Sequence, residues 1–106
     1  MRLVITDAAK RDLQAAHDWW ADNRSAEQAS GWYSAIKGKI DNLKLSHRRC
    51  SLAAENSLVD QELRQALFGV GRRVTHRIVF TIDDNRIVVL RVRHVAQRTL
   101  TRDDLQ

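Results

Sequence analysis

Residues Arg77–His94 read RIVFTIDDNRIVVLRVRH, two apolar stretches parted by Asp83-Asp84-Asn85, with Arg91, Arg93 and His94 at the far end. Side chains alternate along a strand, so Ile78, Phe80 and Ile82 share one face and Arg77, Val79 and Thr81 the other. In the second stretch Val88, Leu90 and Val92 share a face, and Ile87, Val89, Arg91 and Arg93 share the opposite one. A connection of the wrong parity would drop Arg91 among Ile78 and Phe80 and bury an unpaired charge. A three-residue loop through Asp83, Asp84 and Asn85 avoids this, pairing Ile82 with Arg86 and Arg77 with Arg91. The hairpin then has an apolar face for the core and a second face that gathers Arg77, Arg91 and Arg93. Like charges directly across a sheet cost some tenths of a kcal/mol, up to about 1. Their clustering therefore points to an anionic partner; a solvated face that serves solubility is the plainer alternative.

The charge distribution sharpens this reading. Residues 1–63 carry nine basic and nine acidic side chains, which cancel. Residues 64–98 carry eight basic side chains, all arginine, against Asp83 and Asp84. The net charge of +5 thus arises in the C-terminal half. Arginine presents a planar fork suited to phosphate and carboxylate and tolerates desolvation better than lysine.

With 106 residues the chain is expected to form one domain, residues 1–106, with a single core. Charged residues at 29% and hydrophobic residues at 43% separate it from disordered chains. No apolar run approaches the roughly 18 residues of a membrane span, and MRLVITDAAKRDL has no secretory signal pattern. The lone cysteine, Cys50, excludes an internal disulfide and suits a reducing cytoplasm.

Towards the N-terminus, RLVIT at residues 2–6 reads as a short strand. Thr6 or Asp7 can cap a helix from Ala8 to about Asn23, with Ala9, Leu13, Ala16 and Trp20 on one face. Ser25-Ala-Glu-Gln28 fits a capping box that opens a second helix, striped by Ala29, Trp32, Tyr33, Ile36, Ile40 and Leu43. Gly31 and Gly38, seven apart, predict close approach to a neighbouring helix or backbone. The short link makes the two helices antiparallel. Residues 46–61 lack periodicity and read as a loop. Three strands follow, the first two joined by a turn at Gly69–Gly71. The fold class is α+β: an N-terminal strand, an antiparallel helical hairpin, and a three-stranded antiparallel C-terminal sheet.

Few side chains carry chemistry. His47 and Cys50 have ligand spacing but lack a second pair, so no metal is expected, and no cofactor motif is present. GVGRR lacks the spacing of a phosphate loop. His17 reads as solvated and His76 as a packed or edge side chain. His94 ends a strand beside Arg93 and four residues before Arg98. It can shuttle a proton while arginines hold a phosphate, or simply satisfy the backbone at the sheet's end. Trp20 and Trp32 lie on core stripes, whereas Trp19 lies off its stripe and reads as an exposed contact.

The order of elements and the segments RRCSLAAEN (48–56), ELRQALFG (62–69), HRIVFTIDDNRIVVLRVRH (76–94) and Gln97-Arg98 resemble the RelE/ParE superfamily of type II toxin–antitoxin toxins, over nearly the whole chain. Relatives carry prolines where this chain has Ser51 and Ala54. The resemblance implies a cytoplasmic bacterial protein of a plasmid-stabilisation type of module. Such a protein arrests growth when free and is silenced by a cognate antitoxin. Trp19 would be an antitoxin contact, and Arg77, Arg91, Arg93 and Arg98 would hold an acidic partner. A homodimer and a toxin–antitoxin hetero-oligomer are both open.

Two mechanisms divide the superfamily. RelE-like members cut messenger RNA on the ribosome; here Arg64 would be the cation, with Arg77 or Arg91 in support. His94 would be the acid or base, and Glu62 a weaker carboxylate base. ParE-like members inhibit DNA gyrase and have no catalytic set to carry over. The chain has no lysine after Lys44 and its only tyrosine is Tyr33, absences that go against the nuclease. The long helical pair and the RVRH ending favour the ParE branch. A non-toxic basic nucleic-acid-binding module is the third reading; it would bind free nucleic acid with a steep salt dependence.

Overall fold

The computed structural model describes residues 1–105. Strand β1 (Arg2–Ile5) leads into helix α1 (Asp7–Asn23) and helix α2 (Ala26–Asp41). Thr6 caps α1, its side chain accepting from the Ala9 amide, and Ser25 caps α2 by accepting from the Gln28 amide. Both caps satisfy first-turn donors that have no partner within the helix. A short turn of helix, α3 (Leu43–Ser46), precedes β2 (Ser51–Leu52), and β3 (Arg64–Val70), β4 (Arg73–Asp83) and β5 (Arg86–His94) complete the sheet. Among the described residues no helix is long and apolar enough to cross a membrane.

The three antiparallel C-terminal strands expected from sequence are β3, β4 and β5, but they are the middle of a larger, mixed sheet. Five strands run in the order β1-β5-β4-β3-β2, and β1 lies parallel to β5, with Val4 opposite Val88. Period-two patterning marks a strand but not its neighbour, and the two residues of β2 are too few to show any period.

The hairpin differs as well. A two-residue turn, Asp84-Asn85, joins β4 to β5 and sets Asp83 opposite Arg86. Both turn residues have positive φ, 47° and 60°, a region where Asp and Asn are the best tolerated side chains after glycine. A bulge then follows: Phe80 pairs with Val89 and Val79 with Arg91, so Leu90 is the extra residue and Arg77 faces Arg93, not Arg91. The bulge solves the parity problem that a longer loop was expected to solve. Ile87 and Val89 join the core before it; after it, Val92 takes their place and Arg91 points the other way.

Both sheet faces are covered. The helices bury Leu13, Trp32, Ile36, Ile78, Phe80 and Val89 against one face. Residues 53–63 and the C-terminal tail cover the other, where Ala53, Leu63, Val79 and Leu100 form a second cluster. The two-sided ribbon with an open arginine face does not form.

Gly31 and Gly38 do not mark close contacts, since a Cβ at either would meet nothing within 4 Å. Gly31→Ala and Gly38→Ala are each expected to raise stability by about 1 kcal/mol, because both sit inside an exposed stretch of helix. Urea denaturation measures the gain, and a loss at either position would contradict the open surroundings. Gly69 is the opposite case: a Cβ there would lie 1.9 Å from the Arg73 carbonyl oxygen, so the tip of the β3–β4 hairpin requires glycine.

Candidate functional site

Antiparallel pairing of β4 with β5 leaves their far ends, Arg73–His76 and Val92–His94, beside the C-terminal half of α1. The cleft between them is a groove of about 1000 Å³. Trp19 and Trp20 wall it on the helix side and Val74 and Val95 on the strand side. The two indoles meet edge to face, their ring centres 5.5 Å apart. Trp19 is 53% exposed, and Val74 and Val95 are also open to solvent. Arg24 and Arg73 stand at its rim, neither in an ion pair among the described residues. An apolar floor with a basic rim suits a segment carrying large apolar anchors and carboxylates.

Two histidines close one end. His76 and His94 are cross-strand partners with ring centres 5.2 Å apart, and His76 also lies against Trp32. Burial, and secondarily the neighbouring His94, push the His76 imidazole down to about 4. His94 is exposed; its Nδ1 accepts from the Ala96 amide at 3.0 Å, which leaves the ring proton on Nε2. Its backbone amide donates to Gln97 Oε1 at 2.8 Å. The ring thus organises the turn that carries Val95 and Ala96 along the groove.

The arginines singled out from sequence are spoken for within the chain. Arg77 forms a two-pronged pair with Glu55, whose Oε2 also accepts from the Leu100 amide at 2.8 Å. Burial would raise the Glu55 carboxyl, but the Arg77 bonds and backbone amides outweigh it and hold it below its usual range. Arg91 grips both oxygens of Asp12, at 2.7 and 2.9 Å, and Asp12 also accepts from the Val92 amide. Hydrogen bonding to Asp12 raises Arg91 above its ordinary value despite burial. Arg98, largely exposed, bonds Asp104 at 2.8 Å, which holds that carboxyl well below the usual range. Arg93 alone of the four has no carboxylate partner among the described residues. These four side chains do not form one open surface.

Arg64 and His94 are not brought together. His94 lines the groove, while Arg64 lines a separate recess of about 210 Å³ with Glu62 and Thr81. Arg64 donates to Glu62 at 2.8 Å and to the Cys50 carbonyl. On the sheet, His94 faces His76 and His76 faces Phe68, four residues beyond Arg64 along β3. At 3.3 Å per residue that is roughly 13 Å of strand, before two strand spacings are crossed. Among the described residues no group of three metal-ligating side chains converges.

Sequence reasoning placed Trp19 on the exposed side of its helix but missed Asp12, Glu55 and Asp104. For Asp12 and Glu55 the available signal was the equal charge count of residues 1–63: nine carboxylates upstream of an arginine-rich half are natural partners for it.

Comparison with known proteins follows the fold. The family described as ParE toxin of type II toxin-antitoxin system, parDE, matches residues 3–99. A solved structure of the chromosomal ParDE TA system from P. aeruginosa superposes with a TM-score of 0.71 at 22% identity, covering 90% of this chain and 96% of that chain. No curated protein matches the chain.

Proposed function

Since the chain belongs to the ParE toxin family of type II toxin–antitoxin systems, we propose that it acts in the cytoplasm as a growth-arresting toxin that inhibits DNA gyrase. A cognate antitoxin silences it by laying an acidic segment with apolar anchors in the Trp19 groove. The observation that carries the antitoxin reading is the groove itself, with Trp19 half exposed over an apolar floor and, at the rim, two arginines without an ion-pair partner among the described residues. A gyrase target fits a chain in which the two nuclease candidates, Arg64 and His94, line separate cavities.

Antitoxin binding gives a direct test. Trp19→Ala is expected to weaken the complex at least 30-fold, about 2 kcal/mol, as is usual for a central aromatic anchor. Unchanged affinity would place the antitoxin elsewhere. On induction of the toxin alone, DNA supercoiling is expected to fall while transcripts stay intact. Cleavage of messenger RNA at codon boundaries, lost in His94→Ala or Arg64→Ala, would replace the gyrase reading with the ribosomal one.

A further inference from the structure

Arg93 stands out on the sheet face away from the helices. The residue is 8% exposed, and its Nε, fully buried, has no hydrogen-bond partner among the described residues. One Nη2 bond, to the Arg98 carbonyl at 2.9 Å, is the contact that holds it. Around it lie Arg91 and Arg98, with Asp12 and Asp104 as the nearby carboxylates. Among the described residues three guanidinium groups therefore share two carboxylates, and the uncompensated charge is the most buried one. A buried ion without a counter-charge is costly, and the cost is removed by an anion that reaches the unfilled donor.

We propose that Arg93, with Arg98 as its movable outer wall, is a binding site for a single oxyanion. Arg98 has a side chain 62% exposed, so it can swing aside and then close over the ligand. The donor set, a guanidinium edge backed by a second guanidinium, suits a tetrahedral phosphate-type ion or one carboxylate. The burial of Nε limits the ligand to a small ion or the tip of a side chain; a phosphodiester flanked by sugars on both sides is too bulky to reach it. The site is independent of the toxin reading, since it rests on the charge balance of this face alone.

The test uses the full chain in a buffer free of phosphate and sulfate. Its melting temperature is followed against sodium phosphate or sodium acetate, with ionic strength held constant by sodium chloride. At about ten times the dissociation constant a saturable rise of about 5 °C is expected. Arg93→Met is expected to abolish that rise while being at least as stable as the natural chain in chloride alone. A larger phosphate response assigns a free phosphate-type ion; a larger acetate response assigns a carboxylate presented by a partner protein. Either supports the site. No saturable rise with either anion, or an equal rise in Arg93→Met, overturns it. Should Arg93→Met fail to fold, amide shifts of the natural chain decide the matter under phosphate titration. Saturating changes confined to residues 91–100 support the site, and changes spread over exposed arginines such as Arg72, or none, overturn it.

Discussion

Glu55→Ala is expected to remove about 3–5 kcal/mol of stability, the usual result of breaking one side of a buried ion pair. Glu55 is 2% exposed and joins three parts of the chain: its own loop, Arg77 on β4 and the Leu100 amide of the tail. Alanine would leave the Arg77 guanidinium, itself only 11% exposed, without a counter-ion. It would also free the tail that buries Leu100 over the second cluster. Against a typical total of about 5–15 kcal/mol, such a loss brings a domain of this size close to unfolding. The variant Glu55→Leu combined with Arg77→Met is expected to recover most of the loss, because two apolar groups of similar volume replace a pair that was costly to desolvate. Urea denaturation of the single and double variants measures both effects. A single variant within 1 kcal/mol of the natural chain would mean that solvent already reaches the pair.

Acid should destabilise the protein through His76 before it does so through carboxylates. The imidazole sits at about 4 in the folded chain against an ordinary 6.5, so the unfolded chain binds its proton first. The contribution is fully present above pH 6.5, falls as pH drops through the window from 6.5 to 4, and is gone below it. Between pH 7 and 4.5 the loss is about 2–3 kcal/mol. The carboxyl groups of Glu55 and Asp104 are held below their usual range, and their losses come at lower pH. Denaturation at pH 7 and 4.5 is expected to show the drop in the natural chain and a much smaller one in His76→Phe, which keeps the contact with Trp32. Equal drops in both would assign the acid sensitivity to another group.

The helical hairpin was readable because its signals are local. Thr6 and Ser25 each cap a helix through the amide three residues downstream, and the stripes of Leu13 and Ile36 follow from a 3.6-residue period. The register of β4 and β5 was not, because a bulge at Leu90 leaves no mark in an alternating pattern, and Asp84-Asn85 with Asp83 looks like a loop of three. The parallel docking of β1 on β5 is a choice of neighbour that alternation does not encode. For the site, alternation correctly put Arg77 and Arg93 on one face, as cross-strand partners show. It did not reveal what lies above them. Arg91 meets Asp12 at a separation of 79 residues and Arg77 meets Glu55 at 22, and no local rule reaches across such distances. The exposure of Trp19 was visible because it breaks the period of its own helix, a local signal again.

Pairing the first strand with the last has a consequence for how the protein comes into being. Thr6 donates to the Leu90 carbonyl across 84 residues of chain. At roughly 5–20 residues per second, a ribosome takes about 4–17 s to make that stretch. Throughout that interval the nascent N-terminal helices have no sheet to lie on, so their apolar stripes are offered to chaperones or to any protein able to catch them. The sheet those stripes need exists only once β5 has been made, so this domain takes its shape as a whole and not helix by helix from its N-terminus.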